Sequence, residues 1–68
     1  MIGTIRRKVS DKGYMFLRLA DGGDVFCHIS QCKKIDFESV TEGLQLEFEI
    51  VETDKGPQAR NVRYPNEN

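Results

Sequence analysis

The segment Lys12–Leu17 reads KGYMFL, and the segment Val25–Ile29 reads VFCHI. Both are rich in β-branched and aromatic residues, and the DGGD sequence at 21–24 is typical of a turn. The pattern therefore predicts two neighbouring strands joined by a short loop. Because successive side chains of a strand point to opposite faces, the rings of both strands fall on one face. This face, which we call the aromatic face, consists of Tyr14, Phe16, Phe26 and His28.

The other face of the two strands carries aliphatic side chains that suit a core, among them Leu17, Val25 and Cys27. The rings are therefore predicted to lie outward and roughly coplanar, not buried. A small soluble domain rarely exposes so much flat aromatic surface without a binding function. Unpaired nucleic acid has a π-face on every base and a negative phosphate at every linkage. With Lys12 and Arg18 beside the rings, the pattern predicts a surface on which unpaired bases stack.

These residues also carry a family resemblance. The segment Lys12–Phe16 fits the first ribonucleoprotein motif, which reads basic–Gly–aromatic–x–aromatic. The segment Val25–His28 resembles the second motif of the bacterial cold-shock proteins, which usually reads Val-Phe-Val-His. Further similarities follow in order and at matching spacing over residues 2–63, at Gly3-Thr4-Ile5, Asp24, Glu42-Gly43 and the closing Lys55–Val62.

The chain thus resembles a divergent bacterial cold-shock protein. The resemblance implies an all-β fold, a five-stranded antiparallel oligonucleotide-binding (OB-fold) Greek-key barrel that holds single-stranded DNA or RNA. The strands are expected at Met1–Arg7, with a bend or bulge at Gly3, and at Tyr14–Leu19, Asp24–Ile29, Leu44–Thr53 and Gln58–Arg63. A short helical turn capped by Ser30 is expected after the third strand.

The length and charge of the chain suit one small domain. We expect a domain over residues 1–64 and a polar, frayed C-terminal tail that starts near Tyr64 and includes residues 65–68. The formal net charge of -1 alone argues against binding to nucleic acid. The charges are segregated, however, and a basic face on an acidic body still produces a local positive field. The first 18 residues contain a single acid and five bases, Arg6, Arg7, Lys8, Lys12 and Arg18.

The first strand departs from the family pattern. Cold-shock proteins generally have Lys-Trp-Phe-Asn where this chain has Arg6-Arg7-Lys8-Val9. Two stacking rings are thereby replaced by cations. An arginine can stack on a base and also pair with phosphate, so Arg7 is a candidate for both roles. The alternative is that the three cations only solvate and protect an exposed strand edge.

Two further binding residues are implied by the resemblance. The family has an exposed, base-contacting aromatic residue at the position of Phe37 and a basic loop residue at the position of Lys55. The alternative for Phe37 is that its ring closes the mouth of the barrel. In the fourth strand Leu46, Phe48 and Ile50 are predicted inside, and Glu47 and Glu49 are predicted outside as a solvated acidic face away from the rings.

Catalytic and metal chemistry have little support in the sequence. Cys27 and Cys32 are five positions apart, and only His28 is available as a third ligand, so two reduced structural thiols are expected and no metal or cofactor. His28 lacks a nucleophile within reach, which favours stacking or hydrogen bonding to a base. No leader segment and no membrane-spanning apolar run is seen, so the cytoplasm is the expected compartment.

The sequence therefore predicts a non-enzymatic protein that binds single-stranded RNA or DNA, as an RNA chaperone or a modulator of transcription or translation. It is expected as a monomer or weak dimer, with no membrane partner and no small-molecule substrate. Phosphates would be held by Arg6, Arg7, Lys8, Lys12 and Lys55, and bases by Tyr14, Phe16, Phe26, His28 and Phe37. The alternative is a protein-interaction OB module that has lost most of its affinity for nucleic acid.

Overall fold

Five strands close into a barrel in the computed structural model, which describes residues 1–65. Around the barrel the strands follow the order β1-β2-β3-β5-β4. Short 3-10 turns lie at Ser10–Lys12 and Ile29–Gln31. The strands are β1 at Ile2–Val9, β2 at Tyr14–Arg18, β3 at Asp24–His28, β4 at Gln45–Thr53 and β5 at Gly56–Arg63. The predicted five-stranded barrel is confirmed, and each predicted strand end lies within two residues of the observed one.

One pair of strands runs parallel. β3 and β5 meet at Phe26 and Gln58, and their directions are the same. The expectation of an antiparallel sheet is wrong at this pair, although all other pairs are antiparallel. The reason is the connection over residues 32–44, which brings β4 beside β1. Because β5 then returns antiparallel to β4, it lies parallel to β3.

The core is formed by the inward side of every strand, as alternation requires. Leu46 and Phe48 are fully buried and Ile50 is half-buried, so the predicted orientation of β4 is confirmed. Within residues 1–65, thirteen buried apolar residues make up the core: Ile5, Met15, Leu17, Val25, Cys27, Cys32, Ile35, Phe37, Val40, Leu46, Phe48, Ala59 and Val62. Among residues 1–65, neither helical turn is long or apolar enough to cross a membrane.

β1 contains a bulge that changes which of its side chains point inward. Ile5 and Arg7 pair with consecutive residues of β2, so Arg6 is the additional residue between them. Ile5 is buried, whereas Arg6 and Arg7 are both exposed. Beyond the bulge, Lys8 pairs with Met15, whose side chain is fully buried. Lys8 therefore lies in register with an interior position.

The bulge expected at Gly3 is wrong, because this glycine serves a close approach instead. Gly3 is buried in β1 opposite Leu46 of β4. A Cβ atom at this position would lie 2.9 Å from two carbon atoms of the Phe48 ring and 3.2 Å from the carbonyl oxygen of Arg18. Only a hydrogen fits between the strand and the ring.

β5 keeps two inward residues at an irregular spacing. Ala59 and Val62 are three positions apart, yet both are buried, as predicted. The pairing register shifts between Glu47 and Glu49 of β4, and Asn61 has a positive φ of 53°. Asparagine tolerates the left-handed conformation better than most residues do. The irregularity at Asn61 therefore returns Val62 to the core.

The connection between β3 and β4 closes one end of the barrel. Its side chains Ile35, Phe37 and Val40 are buried in the core. The hydroxyl oxygen of Tyr64 accepts the Asp36 N–H at 3.2 Å, and the Tyr64 ring packs against the core. The prediction that Tyr64 belongs to a frayed tail is therefore wrong. Residues 66–68 of the predicted tail lie outside the described part of the chain.

Candidate nucleic-acid interface

The three phenyl-type rings of the aromatic face form one cluster on β2 and β3. Phe16 lies directly opposite Phe26, and Tyr14 lies opposite His28. The ring centroids of Tyr14, Phe16 and Phe26 are 5.3–5.8 Å apart, and each ring is half-buried. The sequence prediction that these rings lie on the outer face of the sheet agrees with this placement.

The rings are tilted against one another, so the expected coplanar arrangement is wrong. Phe16 meets Tyr14 at 80° and Phe26 at 67°, whereas Tyr14 and Phe26 are inclined at 40°. Edge-to-face contacts are preferred because the positive edge of one ring meets the negative face of the next. The three rings therefore present differently oriented surfaces on this face.

His28 completes the aromatic face and also starts the second 3-10 turn. Its Nδ1 accepts the Ser30 N–H at 3.1 Å and lies 3.0 Å from the Ser30 hydroxyl. The capping side chain is thus His28, and the expected cap at Ser30 is wrong. Because an amide N–H can only donate, Nδ1 must accept, and the proton of the neutral ring is on Nε2. The exposed ring can stack on a base or donate a hydrogen bond from Nε2.

The cations near the rings differ in whether they already form an ion pair with a carboxylate. Arg6 and Arg18 share one carboxylate, with Nε atoms 3.9 Å and 3.4 Å from the two oxygens of Asp24. Arg7 pairs with Phe16 across β1 and β2, so its side chain leaves the sheet on the aromatic face. Within residues 1–65, neither Arg7 nor the exposed Lys12 forms an ion pair.

Lys8 does not belong to this group of cations, and the prediction that it holds phosphate is wrong. The bulge at Arg6 turns its side chain towards the end of the barrel. Its Nζ donates to the carbonyl oxygens of Val40 at 2.7 Å and Glu38 at 3.2 Å. The ammonium group also lies 5.0 Å from the centroid of the Phe37 ring, within cation–π distance. Lys8 therefore stabilises the connection between β3 and β4.

Phe37 is likewise removed from the base-contacting set. Its side chain is 5% exposed and lies in the core, so the prediction of an exposed aromatic residue is wrong. The alternative, in which this ring closes the mouth of the barrel, describes its position. The burial has a physical reason. The connection over residues 32–44 closes this end of the barrel, so its apolar side chains, Phe37 among them, must cover the core there.

A groove runs from the rings towards the loop before β5. One concave region of about 370 Å³ is lined by Phe16, Phe26, Lys55 and Gln58, and an adjoining region of about 250 Å³ also includes Arg6, Arg7 and Pro57. The groove brings the predicted residue Lys55 to the aromatic face. Pro57 and Gln58 were missed by the sequence reasoning, although they lie in the closing KGPQ segment that supports the resemblance. The parallel pairing of Gln58 with Phe26 places them here.

A larger concave region, about 520 Å³, lies elsewhere, between the ends of β1 and β2. Its walls include Ile2, Leu19 and Gln45, and no aromatic ring lines it. It touches the aromatic face only through Arg6 and Arg18. Without a ring or a free cation it does not provide a stacking surface, so the smaller groove is the better candidate for contact with bases.

The acidic residues of β4 lie away from the rings. Glu47 and Glu49 contact Arg63 of β5, with nitrogen–oxygen distances of 3.2 Å and 3.9 Å. In the barrel, β1 separates β4 from β2, and β5 separates it from β3. These carboxylates therefore do not face the groove. Among residues 1–65, no three potential metal-ligating side chains lie together.

Comparison with known proteins identifies a family. The model of the "'Cold-shock' DNA-binding domain" matches residues 1–65. Cold shock-like protein CspC of Bacillus cereus is 42% identical over 62 residues, which cover 91% of this chain and 95% of the relative. Cold shock protein CspA of Staphylococcus saprophyticus is 42% identical over 60 residues, with 88% of this chain and 91% of the relative covered. Since the match extends over nearly the whole chain at this identity, the chain belongs to the cold-shock domain family.

Proposed function

We propose that the protein binds single-stranded RNA or DNA by stacking unpaired bases on the aromatic face. Proteins of the cold-shock domain family generally bind single-stranded nucleic acids and are not enzymes. The observation that carries the proposal for this chain is the opposed pair of Phe16 and Phe26, with Arg7 beside one ring and Lys55 beside the other. Rings and cations thus line one groove.

Stacking explains a preference for single strands. The π-faces of bases in a duplex are covered by neighbouring base pairs, so a duplex must be unstacked before its bases can reach the rings. Because every base has a π-face, stacking tolerates many sequences. The tilt between Phe16 and Phe26 favours a flexible strand whose bases can rotate independently.

The phosphate contacts are assigned to the cations that are not engaged within the barrel. Arg7, Lys12 and Lys55 are exposed and form no ion pair among residues 1–65. Arg6 is a weaker candidate, because its guanidinium shares the Asp24 carboxylate with Arg18. An exposed pair of this kind contributes little energy, so phosphate can compete for Arg6.

We further propose that the protein acts as an RNA chaperone or as a modulator of transcription or translation. It would do so in the cytoplasm, as a monomer or weak dimer. A sequence-tolerant surface that captures unpaired bases would keep RNA unstructured. The competing proposal, a protein-interaction module without affinity for nucleic acid, draws on the net charge of -1 and on the absence of tryptophan. It predicts no binding of oligonucleotides even at low salt.

The first test is titration of oligothymidine and oligouridine with the wild type, Phe16→Ala and Phe26→Ala. Loss of one stacked base is worth about 1–3 kcal/mol, so each variant should bind about 5- to 150-fold more weakly. Fluorescence anisotropy of a labelled oligonucleotide measures the affinity. Circular dichroism at the titration temperature shows whether each variant is folded.

Leu44→Ala is the matched control. Leu44 is an apolar side chain with 39% exposure that lies outside the aromatic face, so its truncation should leave the affinity unchanged. Equal affinities for the wild type and both phenylalanine variants would reject stacking on these rings. A wild type that does not bind at low salt would favour the protein-interaction module.

A further inference from the structure

Two thiols lie in contact beneath the second 3-10 turn. The Sγ atoms of Cys27 and Cys32 are 3.2 Å apart, and both side chains are buried, with exposures of 0% and 3%. Both are free thiols in the described chain. The sequence spacing indicates two structural thiols, and it does not reveal this contact.

We propose that Cys27 and Cys32 form a reversible intramolecular disulfide when the protein meets a peroxide. The bond would link the end of β3 to the residue that follows the turn at Ile29–Gln31. The ring closed by the bond would include His28, whose imidazole caps this turn and belongs to the aromatic face. Oxidation would therefore restrict the movement of this turn relative to β3.

The two elements that carry the thiols differ in freedom to move. Cys27 lies within β3, paired with Met15 of β2. Cys32 lies outside the strands as the C-cap of the turn, with φ of -109° and ψ of 37°. The sulfurs must approach each other by about 1 Å to bond. A small shift of the turn can supply this movement without disturbing the sheet.

The two thiols differ in acidity and in position, and we expect one to attack the oxidant and the other to complete the disulfide. The hydrogen bond between the two thiols lowers the pKa of Cys32. The same hydrogen bond and burial raise the pKa of Cys27. Cys32 also lies outside the sheet and keeps a small exposure, whereas Cys27 is fully buried, so Cys32 is the sulfur that ionises and attacks the oxidant, since the thiolate is the reactive form. The Cys27 sulfur lies 3.2 Å from the Cys32 sulfur, so it can react with the oxidised Cys32 to form the disulfide.

The reaction balances with hydrogen peroxide as the oxidant. The Cys32 thiolate attacks one peroxide oxygen, the O–O bond breaks, and the leaving hydroxide takes a proton to become water. Cys32 is then a sulfenic acid. The Cys27 sulfur attacks the Cys32 sulfur and displaces the sulfenic oxygen, which leaves as water with the Cys27 proton. Two thiols and one peroxide thus give one disulfide and two waters.

The test uses the full chain, first reduced and then freed of reductant. Treatment with hydrogen peroxide should give a monomer whose intact mass lacks two hydrogen atoms and whose denatured form no longer reacts with maleimide. Dithiothreitol should restore both thiols. The thermal midpoint of the oxidised form should be higher by about 5 °C or more, since even a short closed loop restricts the unfolded chain.

Two variants separate the proposed roles. Cys27→Val keeps a similar volume and should let the oxidised Cys32 be trapped by dimedone as a sulfenic acid. Cys32→Ala should leave Cys27 unmodified under the same conditions. The wild-type measurement decides the proposal even where a variant does not fold. Wild-type protein that keeps both thiols, that gains oxygen without losing hydrogen, or that forms linked dimers would overturn it.

Discussion

Arg7 and Lys8 are neighbours in the sequence, but the bulge at Arg6 gives them different environments. Arg7 is exposed beside Phe16 on the aromatic face. Lys8 reaches the end of the barrel, where it donates to the carbonyl oxygens of Val40 and Glu38. One cation is therefore available to a ligand, and the other is part of the fold.

Substitution of these two residues should have opposite consequences. Arg7→Gln removes the proposed phosphate contact, worth about 1 kcal/mol, so single-strand affinity should fall about fivefold while the thermal midpoint stays the same. Lys8→Met keeps the length of the side chain but leaves the partly buried Val40 carbonyl without its donor. We expect it to lower the free energy of unfolding by about 1–3 kcal/mol and to leave affinity unchanged.

Oligonucleotide titration and thermal unfolding of both variants measure these effects. The two substitutions remove the same formal charge, so each is a control for the other. If Lys8→Met weakens binding as much as Arg7→Gln does, Lys8 contacts nucleic acid, and the assignment of its side chain to the fold is incomplete.

Asp36 provides a pH-dependent contact at the end of the barrel. The Ser39 hydroxyl donates to its carboxylate at 2.6 Å, and this hydrogen bond lowers the pKa of Asp36 below its ordinary value of 3.8. Because the pKa is depressed in the folded state, the stabilisation is present above the pKa of the unfolded chain. It is lost as the pH falls through the lower pKa of the folded state.

We therefore expect Asp36→Asn to be less stable than the wild type at pH 7 and the difference to shrink below about pH 4. Thermal midpoints measured from pH 7 to pH 3 test this dependence. Ser39→Ala removes the hydroxyl donor and should show the same trend. A difference that stays constant with pH would mean that the Asp36 carboxylate is not stabilised by Ser39.

At the scale of elements, the regular strands were predictable, whereas the bulge in β1 and the burial of Phe37 in the connection before β4 were not. Alternation of apolar and polar residues places Leu17, Val25 and Leu46 correctly in the core. The bulge at Arg6 has no glycine or other local signal, so the inward turn of Lys8 could not be read from the sequence. Phe37 lies in a connection without periodicity, where burial depends on the barrel end that it covers.

The close contact between β1 and the Phe48 ring of β4 is possible because Gly3 has no side chain. Gly3→Ala would place a Cβ atom 2.9 Å from the buried Phe48 ring and 3.2 Å from a backbone oxygen, so the ring or the strand must shift. Overpacking of this kind costs about 1–3 kcal/mol. We expect the thermal midpoint to fall by about 5 °C or more.

Gly23→Ala is the matched control for this prediction. Its added Cβ atom would meet the carboxylate oxygen of Asp21 at 3.3 Å and Leu19 at 3.9 Å, in an exposed loop. The flexible Asp21 side chain can move, so the midpoint should change less than in Gly3→Ala. Equal losses in both variants would show that the contact of Gly3 with Phe48 has no special importance.

Across the whole molecule, charge is segregated despite a net charge of only -1. Glu47 and Glu49 are paired with Arg63 on the β4–β5 side, and Arg7 and Lys55 line the groove beside the rings of β2 and β3. A ligand that approaches the aromatic face therefore meets a positive local field although the protein is slightly acidic overall. Electrostatic attraction should be significant at low salt and short in range at physiological salt.

This arrangement predicts a moderate salt dependence of binding. With about three to four phosphate contacts, a plot of log affinity for oligouridine against log salt concentration should have a slope of about -2 to -3. Arg7→Gln should make the slope less steep by about 0.7, and Phe16→Ala should lower affinity without changing the slope, because stacking releases no counterions. A flat salt response in the wild type would remove the cations from the interface. A change of slope in Phe16→Ala would mean that loss of the ring displaces the phosphates as well, so that rings and cations hold the strand as one unit.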